Sequence, residues 1–285
     1  MYWFALLLMF AQTGITDGER FYQEGRFAEA ASAYQSFIRQ NPGSAEAWEG
    51  MGRTFLRLGR PRDAVVCFNR ALSLKPGDVA IELALARSFL DGGDPGAAIS
   101  LLDTLDDKRP EVRRLLGEAM YRSGYYARAL QLLDKPAAVL EDRQAAGMYA
   151  VSLAKTGNFE EAGPLCIRLL NPTVAPLDLD VVLTYVEILE NGGQAAKALE
   201  YADLAVRNQP DNPAAHLWKA RLLWHLDQVP DAAREAEKSV ALAPDLPFAR
   251  SLLLEIYRKQ GRAGDARREA DWLREYNNRL ASRGR

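Results

Sequence analysis

A small turn residue followed five positions later by alanine recurs eight times along this 285-residue chain. The pairs are Gly25/Ala30, Gly59/Ala64, Gly93/Ala98, Gly124/Ala129, Gly157/Ala162, Gly193/Ala198, Asp227/Ala232 and Gly261/Ala266. Successive turn residues lie 34, 34, 31, 33, 36, 34 and 34 apart. A beat this regular predicts one helical hairpin copied eight times, because a globular domain held by long-range contacts does not repeat its turn chemistry at fixed intervals.

Each beat carries the same apolar code. With the turn residue numbered 15, the second repeat reads Trp48, Met51, Gly52 and Phe55 at positions 4, 7, 8 and 11. Ala64, Phe68, Ala71 and Pro76 follow at positions 20, 24, 27 and 32. Positions 4, 7, 8 and 11 form one stripe of a helix, and 20, 24 and 27 one stripe of the next. Small residues at 8 and 20 let the two helices approach, while bulky residues at 11 and 24 fill the space around them. Position 15 ends the first helix in a left-handed conformation, which glycine adopts without steric cost and aspartate tolerates. Proline near position 32 stops the second helix, since it lacks the N–H and clashes with the preceding turn.

This pattern resembles the tetratricopeptide repeat family. The other copies repeat it, as in Gly18, Phe21, Gly25, Ala30, Tyr34 of the first and Leu116, Gly117, Met120, Gly124, Ala129, Leu133 of the fourth. The resemblance implies an all-α fold, a right-handed superhelix (α-solenoid) of antiparallel helix hairpins. About eight repeats fall near 11–44, 45–78, 79–109, 110–142, 143–178, 179–212, 213–246 and 247–280. The array occupies 15–280, with a separate N-terminal segment at 1–14 and a basic tail at 281–285. The middle departs from the pattern. Pro136 should end the second helix of the fourth repeat near Asp134, and Gly163-Pro164 should kink or delay that of the fifth. The link 171–180 is longer than a normal inter-repeat turn. These irregularities read as a local change of pitch, with a hinge between two four-repeat halves as the alternative.

Lys plus Arg number 36 and Asp plus Glu 38, so the basic excess of a dedicated nucleic-acid binder is missing and none is expected as partner. Only the last segment is basic, with ten Arg/Lys against five Asp/Glu from Pro247 onward. It reads as a soluble capping repeat, with docking to an acidic surface as the alternative. Met1–Ala11 is a continuous apolar run. As a helix it spans only ~16 Å, too short to cross a bilayer. It has the length of a signal-peptide core but no preceding Lys or Arg. Two readings follow: an export signal, giving a periplasmic or secreted protein, or an apolar helix packed on the first repeat of a cytoplasmic one.

The catalytic inventory is sparse. His216 and His225 lie nine apart on one helix and project to opposite sides, so they cannot share a metal. No phosphate-binding or dinucleotide glycine pattern is present, and no histidine accompanies a serine or cysteine nucleophile. Cys67 and Cys166 occupy apolar positions in separate repeats, too far apart for a disulfide. No catalytic residue, metal or cofactor is expected, and the chain reads as a non-enzyme.

In the family it resembles, first helices line a concave groove that holds partner segments. Positions 2, 5, 9, 12 and 13 flank the core stripe on that side. They supply Arg53 and Arg57, Leu83 and Arg87, Arg114, Tyr121 and Arg122, then Leu217, Arg221, Trp224 and His225. Trp218 stands beside this last group. Tryptophan, tyrosine and arginine bury large areas yet keep a polar handle, which makes them the residues that dominate interfaces. Arg221 lies three residues from both tryptophans, within stacking reach. The competing reading is that Trp218 and Trp224 fill gaps between helices. The lysine and asparagine clamp that some family members use for chaperone tails is replaced by Glu49, Arg53, Leu83 and Arg87, so that partner is not expected. The function implied is a non-catalytic scaffold that binds a protein or peptide of acidic and apolar character. The alternatives are a substrate-recognition or accessory subunit of a separately encoded enzyme or secretion complex, and a glycan-binding groove.

Overall fold

The computed structural model describes residues 15–106, 108–133, 142–171 and 177–283. The apolar run Met1–Ala11, the segments 134–141 and 172–176 and the last two residues lie outside the described residues. Among the described residues every regular element is a helix. The chain divides into two compact units, Met1–Asp134 and Lys135–Arg285.

The first unit holds α1 (15–23), α2 (Phe27–Gln40), α3 (Ala45–Arg57), α4 (Pro61–Leu74), α5 (Val79–Asp91), α6 (Pro95–Leu102), α7 (Pro110–Arg122) and α8 (Tyr126–Leu132). The second holds α9 (Arg143–Lys155), α10 (Phe159–Leu169), α11 (Leu179–Asn191), α12 (Ala195–Asn208), α13 (Pro213–His225), α14 (Val229–Leu242), α15 (Pro247–Lys259) and α16 (Ala263–Arg283). Within each unit the odd-numbered first helices touch one another, α3 with α5 and α5 with α7, then α9 through α15 in order. No two even-numbered second helices are in contact among the described residues. The first-helix side is therefore the tighter, inner side of each stack.

All eight position-15 residues are left-handed, with φ from 60° at Asp227 to 86° at Gly157. That conformation aims the next N–H back at the carbonyl of position 11, closing the helix end as in a Schellman motif. The bond forms in every copy: Arg26 to Phe21, Arg60 to Phe55, Asp94 to Phe89, Tyr125 to Met120, Asn158 to Leu153, Gln194 to Leu189, Gln228 to Leu223 and Arg262 to Tyr257, each at 2.8–2.9 Å. Three copies reinforce it with one device. The guanidinium of Arg26, Arg60 or Arg262 lies 4.1–4.6 Å from the ring of Phe21, Phe55 or Tyr257, and pairs with Glu29, Asp63 or Asp265 three residues on. At the other end of the first helices, position 0 supplies the cap. Ser44, Asp78, Asp142, Asp178 and Asn212 each accept a backbone N–H of the first turn with the side chain.

Within a hairpin, position 8 faces position 24. A Cβ on Gly18, Gly52 or Gly117 would come within 2.7–2.8 Å of Tyr34, Phe68 or Leu133 respectively. In two later copies a larger position 8 stands against a small position 24, as in Ala150/Cys166 and Val186/Ala202. In the glycine copies the bulky position-24 side chain fills the space a Cβ would take, as close-packed interiors require.

The irregular middle is partly visible. α8 stops at Leu132, in keeping with the expected early end before Pro136. α10 starts on time at Phe159 and runs through Pro164, so the anticipated late start does not occur. Pro164 is the sixth residue of α10, and only the carbonyl of Glu160 loses its helical donor. At the C-terminus α16 carries Arg267 and Arg274, both exposed, one repeat after Ala233 and Val240 of α14, so charge occupies the face that apolar residues hold in the preceding copy.

The size rule gives a test. Gly52→Ala should lower stability by ~1–3 kcal/mol through overpacking against Phe68. Adding Phe68→Leu recreates the Ala/Leu pair of the third repeat and should recover most of that loss in urea unfolding.

Candidate partner-binding site

The sequence-predicted residues of the first unit sit on α3, α5 and α7, and most already have partners one repeat away. Arg53 contacts Glu19 at 3.3 Å and Glu49 at 3.7 Å, with Tyr22 5.6 Å beneath it. The hydrogen bond from Gln23, followed by those of Tyr34 and the charge of Arg53, holds the Glu19 carboxyl below its ordinary range against the effect of burial. Arg87 and Arg122 converge on Glu118 at 2.9 and 2.6 Å, and Glu118 is only 1% exposed. Arg122 also donates to the Leu90 carbonyl at 2.8 Å, tying α7 to α5. Leu83 packs on the core, and Tyr121 meets Tyr126 edge-on at 5.9 Å. Arg57 lies over the Phe27 ring at 4.6 Å, and Arg114 is exposed. Two shallow clefts open at equivalent positions one repeat apart. One, about 470 Å³, is walled by Ala28, Ala31, Met51, Phe55 and Leu58; the other, about 420 Å³, by Val65, Phe89 and Gly92-Gly93. Neither contains a predicted binding residue.

In the second unit, α13 brings Leu217, Trp218, Arg221, Trp224 and His225 together. None of the five is buried. Arg221 stacks on Trp218 at 4.8 Å, and Lys259 of α15 lies over Trp224 at 4.9 Å. Lys259 is paired in turn with Asp227. Arg221 and His225 approach the same carboxylate, Glu190 of α11, at 2.8 and 2.9 Å. Trp224 also packs on the core of its unit, so its ring is both filler and surface.

His216 faces the other way, as the nine-residue spacing predicts. It is buried, with Nδ1 2.7 Å from Glu235 and Nε2 2.8 Å from the Pro210 carbonyl. Lys219 joins Glu235 at 2.6 Å and Asp203 at 3.1 Å, so α12, α13 and α14 share one polar network. Burial pushes the Glu235 carboxyl up, but hydrogen bonds from Lys219 and His216 outweigh it and hold the group below its ordinary range. Cys67 and Cys166 are free and buried, and desolvation pushes each thiol up to about 12. Among the described residues no three His, Cys, Asp or Glu side chains are grouped to hold a metal ion, and no helix is long and apolar enough to cross a membrane.

Residue-by-residue reading of the sequence missed the carboxylates that hold these cations. The signal was present as charge complementarity at repeat spacing. Glu19 and Arg53 are both at position 9, as are Arg87 and Glu118, and Lys155 reaches Glu187 at 2.5 Å from one repeat to the next.

Helix hairpins with this turn geometry define a helical repeat protein. Residues 15–79 and 187–247 match a tetratricopeptide repeat family model, and 55–117 and 110–135 match two further models of that description. Together the matches span more than half of the chain, which belongs to the tetratricopeptide repeat family. It is 32% identical over 119 residues to superkiller protein 3 of Schizosaccharomyces pombe, covering 38% of this chain and 9% of that protein. It is 28% identical over 88 residues to the peroxisomal targeting signal receptor of Pichia angusta, covering 30% of this chain and 16% of the receptor. The chain thus matches only a small part of either relative's length. A crystal structure of a tetratricopeptide repeat protein from Parabacteroides merdae superposes with a TM-score of 0.59 at 16% identity, covering 85% of this chain and 97% of that one. At that identity the likeness is one of fold.

The Glu235 network predicts a pH effect. A carboxylate with a depressed folded pKa contributes stability that is present above its unfolded value, ~4.3, and lost as pH falls through the folded value. Between about pH 5 and about pH 3, thermal stability of the wild type should therefore fall more steeply than that of Glu235→Gln, followed by circular dichroism.

Proposed function

We propose that the chain is a non-catalytic scaffold whose first-helix face holds a segment of a partner protein. The observation that carries this is on α13. Two tryptophans stay partly open to solvent there, each with its own cation stacked on it, beside Leu217 and His225. Large rings that keep a wet side, fixed in orientation, offer contact area at little entropic cost. The tetratricopeptide relatives support the reading, since one of them is by its name a targeting signal receptor.

Of the twelve residues the sequence nominates, the α13 group is the strongest. Arg53, Arg87 and Arg122 are engaged by carboxylates of their own unit, and a partner would have to compete with those pairs. Arg57 and Arg114 are exposed cations among the nominated residues of the first unit. Partner chemistry on this reading is acidic and apolar, complementing the cations and rings of α13. Location follows the N-terminal run: periplasmic or secreted if it is a cleaved signal, cytoplasmic otherwise, which N-terminal sequencing of the mature protein would decide.

Affinity capture with the intact chain and with Trp218→Ala/Arg221→Ala/Trp224→Ala tests the proposal. A stoichiometric partner should be retained by the intact chain and reduced at least ~10-fold by the triple variant, the scale of a lost hot spot. Capture unchanged by the triple variant would remove α13 from the working surface.

A further inference from the structure

We infer that the first and last helices of this chain are complementary, so that copies associate head to tail, α16 of one packing on α1 of the next. The partner is a second copy of this chain, and the contact stands apart from the α13 face.

Charge replaces apolar contact in both helices. Between neighbouring repeats, positions 21 and 28 of a second helix pack towards positions 7 and 10 of the next first helix. Across α14 and α15 these are Ala233, Val240, Leu253 and Ile256, which pack in one cluster. In α16 the same two second-helix positions hold Arg267 and Arg274, with side chains 86% and 71% exposed. In α1 positions 7 and 10 hold Asp17 and Arg20. Position 10 is fully buried as Ser88, Leu222 and Ile256 in other copies, whereas Arg20 is exposed.

The order of charge matches from one face to the other. Positions 21, 25 and 28 of α16 read Arg267, Asp271 and Arg274; positions 7, 10 and 14 of the first repeat read Asp17, Arg20 and Glu24. One face carries two cations and an anion, the other two anions and a cation. The junction between α2 and α3 shows how such faces meet. Positions 18, 21 and 25 wall one side of a cleft there, as Ala28, Ala31 and Gln35, and Leu58, Phe55 and Met51, at 14, 11 and 7, wall the other. Position 25 reaches positions 7 and 11 across the junctions further on, as Asp203 with Lys219 at 3.1 Å and Glu237 with Tyr257 at 2.9 Å. Position 10 lies between those two. Carried over to two copies, this antiparallel register sets Arg267 by Glu24, Asp271 by Arg20 and Arg274 by Asp17. Asp17 also comes near Asp271, which Arg274 neutralises at 3.1 Å.

Nothing inside one copy holds these charges firmly. Arg20 pairs with Asp17 at 2.8 Å and Glu24 at 3.9 Å, and Arg267 with Asp271 at 3.9 Å, all on the surface. Ion pairs this exposed are weak and exchange partners readily. The two faces of the contact differ, so association does not stop at two copies unless a ring closes, and salt screens it.

The test is sedimentation velocity of the full chain from about 5 to about 200 μM, at about 20 mM and about 500 mM NaCl. At low salt the weight-average sedimentation coefficient should rise with concentration, and at high salt it should stay at the monomer value. Arg267→Glu/Arg274→Glu and Asp17→Lys/Glu24→Lys should each weaken low-salt association at least ~10-fold, because like charges then face each other. An equimolar mixture of the two variants should associate again, since the all-acidic face of one meets the all-basic face of the other. Circular dichroism reports whether both fold. If a reversal unfolds the chain, Arg274→Gln and Asp17→Asn take its place, each weakening association ~3-fold. A chain that stays monomeric at low salt would overturn the inference. So would association that survives both reversals, or a loss in both variants that mixing does not restore. A monomeric chain that bound a poly-glutamate peptide through Arg267 and Arg274 would assign the α16 face to a foreign acidic partner instead.

Discussion

A single backbone hydrogen bond, from the N–H of position 16 to the carbonyl of position 11, determines where every hairpin of this protein turns. It forms only because position 15 is left-handed, a conformation that costs an ordinary L-residue roughly 1 kcal/mol and glycine almost nothing. Seven of the eight copies use glycine and one uses Asp227, whose carboxylate is then held by Lys259. With the reversal fixed at one residue, position 8 must face position 24 and position 0 must supply the cap. The core stripes, the caps and the inner face all descend from that register. In three copies the same position-16 residue is an arginine that stacks on the position-11 ring, so side chain and backbone fasten the same two positions.

The interior illustrates how repeats tolerate sequence drift. In the first, second and fourth hairpins glycine at position 8 leaves room for a bulky side chain at position 24. Gly52 with Phe68 puts the larger side chain on the second helix, and Val186 with Ala202 puts it on the first. A copy that kept its glycine but lost its aromatic partner would leave a void, and one that gained both would be forced apart. Such compensation stays within a hairpin because each repeat contacts only its neighbours.

Much of the fold was legible in the sequence, because its determinants are local. The turn residue, the small residue and the bulky residue of one hairpin fall within sixteen positions of one another, inside the span that periodicity reads directly. The early end of α8 was legible for the same reason. Pro164 was less so. Its effect depends on how much helix precedes it, and with only five residues of α10 before it a single carbonyl, that of Glu160, is left without its helical donor. The candidate site was legible in composition but not in state. The sequence places Trp218, Arg221, Trp224 and His225 on one helix, yet whether Arg53 or Arg87 is free depends on Glu19 and Glu118, which lie 34 and 31 residues away. Such pairs come into contact only after the hairpins have stacked. Glu190 is the clearest case. In the sequence it is one acidic residue among many, and stacking buries it beneath two basic side chains.

That difference in state bears on function. The first-helix side of a tetratricopeptide stack must serve two demands, since the helices that line it also touch one another. In the first unit the second demand prevails: Arg87, Glu118 and Arg122 cross-link α5 and α7, and breaking a pair around so deeply buried a carboxylate would cost on the order of 3–5 kcal/mol. A partner drawing on those arginines would have to offset that loss before gaining anything. On α13 the supporting charges are shared or exposed. Arg221 and His225 divide one carboxylate, and the Lys259 pair with Asp227 is solvent-facing, where ion pairs are worth about 1 kcal/mol or less. Drawing Lys259 away from Asp227 therefore disturbs little of the fold, whereas drawing Arg221 or His225 away would leave the buried Glu190 uncompensated, a penalty of the same kind as at Glu118.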